Sequence, residues 1–216
     1  MMKILVIGAH GQVGQKLIQI LSAQDDQVLA GVRDPAQLAE LHDENIIPTK
    51  FDLEDLPATL AQKMIGIDAI VFAAGSGGKT GADKTMLVDL DGAVKSMQAA
   101  QIAGVQRFVI VSALYTDDRE KWVGGMRPYY AAKYYADQWL MNQTDLNYTI
   151  IRPGQLTDEP ATNQVQIDVE QDVAGSVTRE DVAQVVAASL HNTKTTRRVF
   201  NLINGEKSIN DAINDL

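Results

Sequence analysis

The sequence predicts an α/β protein built on a doubly wound parallel sheet, with helices on both faces in three αβα layers. Short runs rich in Val, Ile and Phe alternate with helical segments along nearly the whole chain. Most of these runs are continuously apolar, which is typical of parallel strands covered on both faces. Short connections between alternating strands and helices indicate double winding. Because 216 residues bury one core well and are few for two, we expect a single domain over 1–216.

The elements are expected in strict alternation along the chain. Strands are predicted at 3–7, 27–32, 46–51, 69–73, 107–111, 148–151 and 199–203. Helices are predicted at 12–23, 36–42, 56–64, 84–104, 129–144, 179–191 and 208–216. Two longer stretches, 112–128 and 154–178, follow strand ends, where open α/β sheets bind ligands. We expect them to form a small substrate-side region, and surface loops without that role are the alternative.

Composition and charge exclude several functional classes. The chain has no cysteine, which rules out disulfides and thiolate metal sites. Its three histidines, His10, His42 and His191, lack the spacing of a metal site, so no metal is expected. A net charge of −9 disfavours nucleic acid and acidic membranes as partners. We therefore expect a small-molecule substrate and a monomer or homodimer.

The first apolar run, at 4–7, ends at a glycine. It is too short for a secretory signal or a membrane span. The sequence therefore predicts a cytoplasmic protein.

A glycine-rich loop at 8–14 follows the first strand directly and opens the first helix. Gly8 permits a tight turn, Gly11 allows close approach of a pyrophosphate, and Gly14 lets the helix pack on the sheet. The free N–H groups and the dipole of the helix start then hold phosphate charge. This is the Rossmann-type dinucleotide site. The expected contact residues are Gly8, His10, Gly11, Gln12, Val13 and Gly14, with His10 contributing its backbone.

The end of the second strand bears on the choice between NADP and NAD. Arg33 stands where NAD-specific proteins carry an acidic residue, and a guanidinium can clasp a ribose 2′-phosphate. NADP is therefore favoured. The adjacent Asp34 keeps NAD possible, and a solvated strand-end charge is the alternative for Arg33.

Residues after the next two strands are expected to contact the rest of the dinucleotide. Asp52 can accept from the adenine amine, and Leu53 can lie against the ring. Small side chains follow the fourth strand, where backbone must run beside the cofactor. They are Ala73, Ala74 and Gly75.

Tyr129 and Lys133 are four residues apart, so they share one face of a helix, and Ser112 ends the fifth strand. Carbonyl reduction needs a proton donor, a cation that lowers the pKa of the donor, and a second donor that polarises the carbonyl. We expect Tyr129, Lys133 and Ser112 to fill these roles in that order. Bringing a tyrosine from about 10 to about 7 requires about 4 kcal/mol, which one ammonium at about 4 Å supplies. The alternative is that Tyr129 only packs while the Lys133 chain extends to solvent.

With these motifs the chain resembles the atypical short-chain dehydrogenases/reductases, in the NAD(P)H-binding subgroup related to NmrA-like and biliverdin reductase B-like proteins. The resemblance implies that Pro153 and Gly154 pass beside the nicotinamide, that Lys133 also contacts the cofactor, and that 179–182 braces the substrate side. It also implies that helices 84–104 and 129–144 can pair between chains. The motifs that carry it are the 8–14 loop, Arg33, Asp52, Ser112, Tyr129-x-x-x-Lys133, Arg152-Pro153-Gly154 and 178–183.

One position departs from fully active relatives. They place asparagine in the fourth helix where this chain has Asp89, and the resembled subgroup prefers aspartate there. We expect Asp89 to lie near Lys133 and to offset part of its field on Tyr129, and a solvated charge or helix cap is the alternative. The chain also lacks the large C-terminal lobe of the extended enzymes, so sugar nucleotides are not expected as substrates.

Two functions from different classes follow from these residues. The first is an NADP(H)-dependent oxidoreductase of a small carbonyl, quinone or flavin-like acceptor. The second is an NAD(P)-binding redox-sensing or regulatory protein without turnover. Ser112, Tyr129 and Lys133 favour the enzyme, and Asp89 favours the sensor.

Overall fold

The computed structural model describes residues 1–39, 43–78, 80–168 and 174–216. The strands are β1 Lys3–Ile7, β2 Gln27–Val32, β3 Ile46–Lys50, β4 Ala69–Phe72, β5 Arg107–Val111, β6 Asn147–Pro153, β7 Gln155–Thr157, β8 Gln164–Asp168, β9 Ser176–Thr178, β10 Arg198–Asn204 and β11 Lys207–Ser208. The helices are α1 Gln12–Ala23, α2 Pro57–Gln62, α3 Ala82–Lys84, α4 Ala93–Ala103, α5 Arg127–Asn142, α6 Arg179–Leu190 and α7 Ile209–Asn214.

Nine of these strands form one sheet in the order β11-β8-β10-β6-β5-β4-β1-β2-β3. Seven neighbouring strands of this sheet pair in parallel, namely β10, β6, β5, β4, β1, β2 and β3. β8 runs antiparallel to β10 and to β11. The chain winds outward from β1 in both directions, so the strand order reverses between β1 and β4. Ligands bind at such a reversal point, beyond the carboxyl ends of the strands.

Both faces of the sheet are buried, as the apolar strands predict. In β1, Ile4 and Val6 pack in the cluster that holds α1 and α6. Leu5 and Ile7 point the other way, into the cluster that holds α4 and α5. The predicted three-layer, doubly wound α/β fold is confirmed. None of the helices in the described ranges is long and apolar enough to cross a bilayer.

The long helix predicted at 84–104 is interrupted. A π-helical segment, Thr85–Gly92, joins α3 to α4, and such segments are frequent at functional sites. At 36–42 the prediction of a helix is also wrong in its described part, which is a short 3-10 turn at Pro35–Leu38. Asp34 caps that turn by accepting from the Ala36 N–H at 3.0 Å. Residues 40–42, and therefore His42, lie outside the described part of the chain.

The stretch at 154–178 contains more regular structure than expected. β7 and β9 pair with each other in a separate parallel ribbon, and β8 joins the main sheet. Residues 169–173 lie outside the described part. The 112–128 stretch contains two 3-10 turns, at Arg119–Lys121 and Gly124–Met126.

Candidate functional site

The glycine loop is closed by contacts that leave no room for side chains. Gly8 has a φ of 89°, and a Cβ there would lie 2.6 Å from the Cα of Ala74. A Cβ at Gly14 would lie 2.2 Å from the Gly8 carbonyl oxygen, against 3.2 Å for one at Gly11. Gly8 and Gly14 therefore fix the turn, while a Cβ at Gly11 would make a tight contact that a small shift of the loop could relieve.

The first turn of α1 is left open to an anion. Gly11 is its N-cap and provides no side-chain cap, and the first turn holds no acidic residue. Gly11, Gln12 and Val13 line the largest cavity described below. Backbone N–H groups at a helix start bind phosphate, so the loop fits the pyrophosphate of a dinucleotide.

A cleft of about 340 Å³ lies on the β2 side of this loop, and we call it the adenosine cleft. Gly8, His10, Arg33, Asp52 and Leu53 all contribute to its wall. The His10 side chain is exposed there, in keeping with a loop residue that contributes backbone.

Arg33 and Asp34 have different surroundings. The Arg33 side chain is exposed on the cleft and forms no ion pair within the described ranges. The Asp34 carboxylate is used as the cap of the turn that follows. The polar side chain left at the end of β2 for a ligand is therefore a cation.

The adenine side of the cleft combines a carboxylate with apolar groups. One Asp52 oxygen accepts from the Glu54 N–H at 3.0 Å. Leu53 is buried against Gly92, where a Cβ would lie 3.1 Å from the Leu53 Cβ. Lys84 and Glu54 form an exposed ion pair of 2.8 Å at the rim. This arrangement fits an adenine ring beside Leu53 with its amine toward Asp52.

A second and larger space, the main cavity, has a volume of about 1200 Å³. It shares Gly11 and the small residues Ala73, Ala74 and Gly75 with the adenosine cleft. The two spaces therefore meet along a wall of small side chains after β4. Their shared wall allows one extended molecule to occupy both.

Both stretches that follow strand ends contribute to the main cavity. The first supplies Leu114, Tyr115 and Met126, and the second supplies Leu156 and Ser176. Most of this end is apolar, as small-molecule pockets usually are.

Tyr115 was not identified as a site residue by the sequence analysis. It lines the main cavity with a φ of 68°, a conformation that non-glycine residues rarely adopt. Its carbonyl accepts from the Trp122 ring N–H at 2.9 Å, and Trp122 stacks on Tyr130. The aromatic packing holds the loop against α5. No sequence signal marks this backbone conformation.

α5 turns one polar face toward the cavity. Tyr129 and Lys133 both line it, and the Lys133 Nζ lies 5.7 Å from the centre of the Tyr129 ring. Asp137 continues the same face one turn later and is fully buried. The Tyr129 hydroxyl makes no hydrogen bond to the described residues, so the phenol is available to a molecule in the cavity.

Asp89 lies directly beside this pair. Its Oδ1 is 3.3 Å from the Lys133 Nζ, and both side chains are buried. The other oxygen accepts from the Ser76 N–H at 3.0 Å, and the Lys133 Nζ donates to the Val111 carbonyl at 3.2 Å. The structure thus shows a buried contact at Asp89 in place of a solvated charge.

These contacts determine how Tyr129 and Lys133 titrate. Burial raises the pKa of Tyr129, Lys133 lowers it and Asp89 raises it, and the net direction is upward. Burial lowers the pKa of Lys133, but Tyr129 and Asp89 outweigh burial and raise it. The expectation that the ammonium brings Tyr129 to about 7 is therefore wrong for this state, because burial and Asp89 oppose Lys133.

Ser112 is engaged on its buried side. Its hydroxyl donates to the Asp137 Oδ2 at 3.0 Å, and the same oxygen accepts from the Arg152 Nε at 3.1 Å. Arg152 also pairs with Asp117. Burial raises the pKa of Asp137 to about 6, although Arg152 and Ser112 lower it.

The sequence patterns gave no role to Asp137 or Arg152. Asp137 follows Lys133 at the helical spacing of four, and Arg152 belongs to the Arg-Pro-Gly motif. The spacing could have placed Asp137 on the polar face of α5. It could not have identified Ser112 as a partner, because the two are 25 residues apart.

Pro153 and Gly154 line the main cavity at the end of β6. A Cβ at Gly154 would lie 2.3 Å from the Gly175 carbonyl oxygen. Packing of the chain on itself therefore accounts for this glycine independently of any ligand.

The start of α6 connects the cavity to the rest of the fold. Arg179 lines the cavity and pairs with Asp158 at 2.9 Å. Asp181 is fully buried and accepts from Thr178, Thr162 and Asn163. This carboxylate holds the 162–163 turn against the helix. No group of His, Asp or Glu side chains in the described ranges could hold a metal ion.

Known proteins resemble this chain over most or all of its length. The sequence profile of a family described as NAD(P)H-binding matches residues 8–193. A Bacillus subtilis (strain 168) protein named "Uncharacterized sugar epimerase YhfK" is 45% identical over 218 residues, covering 100% of both chains. The crystal structure of the oxidoreductase ylbE from Lactococcus lactis is 38% identical, with a TM-score of 0.92, covering 100% of this chain and 96% of that one.

A more distant structure shows the same fold. A short-chain dehydrogenase/reductase from Veillonella parvula, solved in complex with NADP, is 21% identical with a TM-score of 0.75. The alignment covers 94% of this chain and 95% of that one. The profile match over most of the chain confirms the NAD(P)H-binding part of the resemblance inferred from the motifs. The chain belongs to the NAD(P)H-binding family, and the cofactor class of its site is a nicotinamide dinucleotide.

Proposed function

We propose that this protein is an NADP(H)-dependent oxidoreductase that acts on a small carbonyl, quinone or flavin-like acceptor. One observation carries the proposal. The main cavity leads from the glycine loop past Ala74 to Tyr129 and Lys133. A dinucleotide phosphate at the loop and a reacting group beside the phenol can therefore be held together.

The chain offers a contact for each part of the cofactor. The start of α1 would hold the pyrophosphate, Asp52 and Leu53 the adenine, and Arg33 the 2′-phosphate of NADP. Pro153 and Gly154, with Lys133, would border the nicotinamide. When bound, the reduced nicotinamide supplies a hydride to the acceptor carbon.

The residues of α5 would manage the proton. Tyr129 donates its phenolic proton to the acceptor oxygen, and the Lys133 ammonium stabilises the tyrosinate that remains. The Asp89 carboxylate in turn compensates the charge of the buried Lys133 ammonium. A buried ammonium without such a partner is costly, so the pair favours the charged form of Lys133. The raised pKa of Tyr129 keeps the phenol protonated at neutral pH, as an acid requires.

Loss of the phenol provides the test. In Tyr129→Phe we expect turnover of NADPH with a carbonyl and quinone panel to fall about 10²- to 10⁴-fold, the usual contribution of a general acid. NADPH affinity should stay within about twofold, because the hydroxyl acts on the reacting group rather than on the cofactor.

Tyr130→Phe is the matched control. Tyr130 is the adjacent residue, lines the same cavity and packs edge-on against Tyr129 at 5.7 Å. Its variant should keep most of the activity. Full turnover in Tyr129→Phe would remove the phenol from the mechanism and leave a hydride transfer without a protein acid.

A second candidate is an NAD(P)-binding regulatory protein without turnover. The observation that favours it is the pairing of the polar groups with one another, Lys133 with Asp89 and Ser112 with Asp137. NADPH binding without oxidation against any acceptor would support it. Activity on a sugar would instead bring this chain into line with the name of its Bacillus subtilis relative.

A further inference from the structure

Ser112 lies between two environments. It lines the main cavity, while its hydroxyl donates to the Asp137 Oδ2 behind it at 3.0 Å. A hydroxyl has one proton, so during this bond only oxygen lone pairs are left for a molecule in the cavity. A carbonyl oxygen cannot donate to those lone pairs, whereas an alcohol can.

Asp137 is poorly satisfied as a carboxylate. It is fully buried, and its Oδ2 is shared by Ser112 and Arg152. Its Oδ1 is buried and makes no hydrogen bond within the described residues. An unpartnered oxygen of this kind disfavours the ionised form. The pKa of about 6 places protonation within reach of ordinary conditions.

The charges around Asp137 come from several elements. Arg152 faces it from β6, and Lys133 and Tyr129 share its face of α5. Asp117 acts through Arg152, and Asp89 acts through Lys133. Both cations already have another carboxylate partner, so neither depends on Asp137 alone for compensation. Protonation of Asp137 therefore leaves no buried cation without a carboxylate.

We propose that Asp137 is a positioning residue that sets the direction of the Ser112 hydroxyl proton and thereby selects between an alcohol and a carbonyl in the main cavity. The ionised carboxylate holds the proton away from the cavity, and Ser112 accepts from an alcohol. Once Asp137 takes a proton from solvent, it is a weaker acceptor. The Ser112 hydroxyl is then free to turn and donate to a carbonyl oxygen.

This inference rests on the proposed function, and it gives that function a pH dependence. Carbonyl reduction should increase as the pH falls through the pKa of Asp137, because the donor form of Ser112 is then populated. Binding of an alcohol should increase as the pH rises through the same range.

The first test needs no substrate and no cofactor. The carboxyl carbon of Asp137 is titrated by ¹³C NMR and identified by its absence in Asp137→Asn. A hydrogen bond from Ser112 stabilises the ionised form, so Ser112→Ala should raise the pKa of Asp137 by about one unit. Ser96→Ala, which removes a buried hydroxyl bonded to the Gly92 carbonyl, should leave it unchanged. An unchanged value in Ser112→Ala would overturn the proposal.

The second test uses turnover. In Asp137→Asn the amide oxygen keeps the position of Oδ2, because Arg152 can only donate to it. This neutral oxygen is the weaker acceptor at every pH, so carbonyl reduction should lose its rise between about pH 7 and 5. Ser96→Ala is again the matched control, because it leaves every contact of Asp137 in place and should retain that rise. An unaltered rise in Asp137→Asn also contradicts the proposal. Absence of turnover in the wild type contradicts the proposed function, and the NMR titration then decides on Asp137 separately.

Discussion

Two buried carboxylates divide the polar side chains of this site between them. Asp89 forms an ion pair with Lys133, and Asp137 accepts hydrogen bonds from Ser112 and Arg152. Both carboxylates are fully buried, and a charge away from water interacts more strongly with its neighbours than one in water. The pKa of Tyr129, the proposed acid, therefore depends on the charges of Lys133 and Asp89.

Replacement of Asp89 tests whether its charge raises the pKa of Tyr129. In Asp89→Asn one negative charge that raises the pKa of Tyr129 is removed, so this pKa should fall. A unit charge at about 8 Å in an effective dielectric near 20 is worth about 2 kcal/mol, and we expect a decrease of about one pKa unit. The basic limb of the kcat/KM profile for reduction, where the acid is lost, should move to lower pH by the same amount.

Asp91→Asn is the control for this experiment. Asp91 belongs to the same π-helical segment but pairs with Lys95 at the surface. Its variant should leave the basic limb in place. Thermal melting of both variants checks that the folded state persists, because Asp89→Asn also removes a partner of a buried ammonium. An unmoved profile in folded Asp89→Asn would separate Asp89 from the acid.

At the scale of elements, the glycine loop is the part most tightly specified by packing. A Cβ at Gly14 would meet the Gly8 carbonyl oxygen at 2.2 Å, against 3.2 Å for one at Gly11. Gly14→Ala should therefore destabilise the protein by about 1–3 kcal/mol through overpacking. Gly11→Ala should cost less than about 1 kcal/mol in stability but weaken NADPH binding, because its backbone borders the phosphate position.

Urea unfolding and NADPH fluorescence titration separate these two effects. Each glycine is the control for the other, since both lie in one loop and gain the same methyl group. Equal losses of stability in the two variants would contradict the assigned division between packing and binding.

Sequence patterns predict elements well where burial alone determines them. β1, β2, β5 and α1 have the predicted bounds, because continuous apolar runs and a clear amphipathic helix leave few alternatives. β8 alternates exposed Gln164 and Gln166 around buried Val165, a period-two signal that could have identified it. β7, β9 and β11 are two or three residues long, too short for a period to be recognised.

The contacts between side chains inside the site are harder to predict from the sequence, because most of them depend on tertiary packing. The spacing of Tyr129 and Lys133 places both on one helix face, and the resemblance to a known family suggested Asp89. The π-helical segment that carries Asp89 has no periodic signature. The bond between Ser112 and Asp137 depends on how β5 packs against α5, which is a tertiary property. The pKa of Tyr129 depends on burial, which no local pattern contains.

At the scale of the whole molecule, the net charge of −9 opposes the binding of an anionic dinucleotide. Local groups near the expected phosphates have to offset this repulsion. The start of α1 offers N–H groups to the pyrophosphate. Arg33 stands exposed on the adenosine cleft, where the adjacent Asp34 is occupied as a cap. The balance of cofactor affinity therefore depends on a small number of contacts.

Ligand-linked stability measures this balance on the intact molecule. A ligand at about 100 times its Kd adds about 2.7 kcal/mol to the free energy of unfolding, which raises the Tm of a chain of this size by roughly 5–10 °C. Because Arg33 is expected to contact the 2′-phosphate, NADPH should give a larger increase than NADH at equal concentration. Arg33→Ala should lose about 10- to 100-fold in NADPH affinity, the usual worth of charge-assisted hydrogen bonds. Its increase in Tm with NADPH should then shrink to that with NADH.

Arg198→Ala is the control, since the Arg198 side chain is exposed at β10 and its guanidinium donates to the main-chain oxygen of Leu216. It removes the same charge from the molecule without touching the adenosine cleft. If Arg198→Ala and Arg33→Ala raise or lower the NADPH shift equally, the effect belongs to net charge and not to a contact. Equal shifts for NADPH and NADH in the wild type would show that Arg33 does not hold a 2′-phosphate, and the preference for NADP would then be wrong.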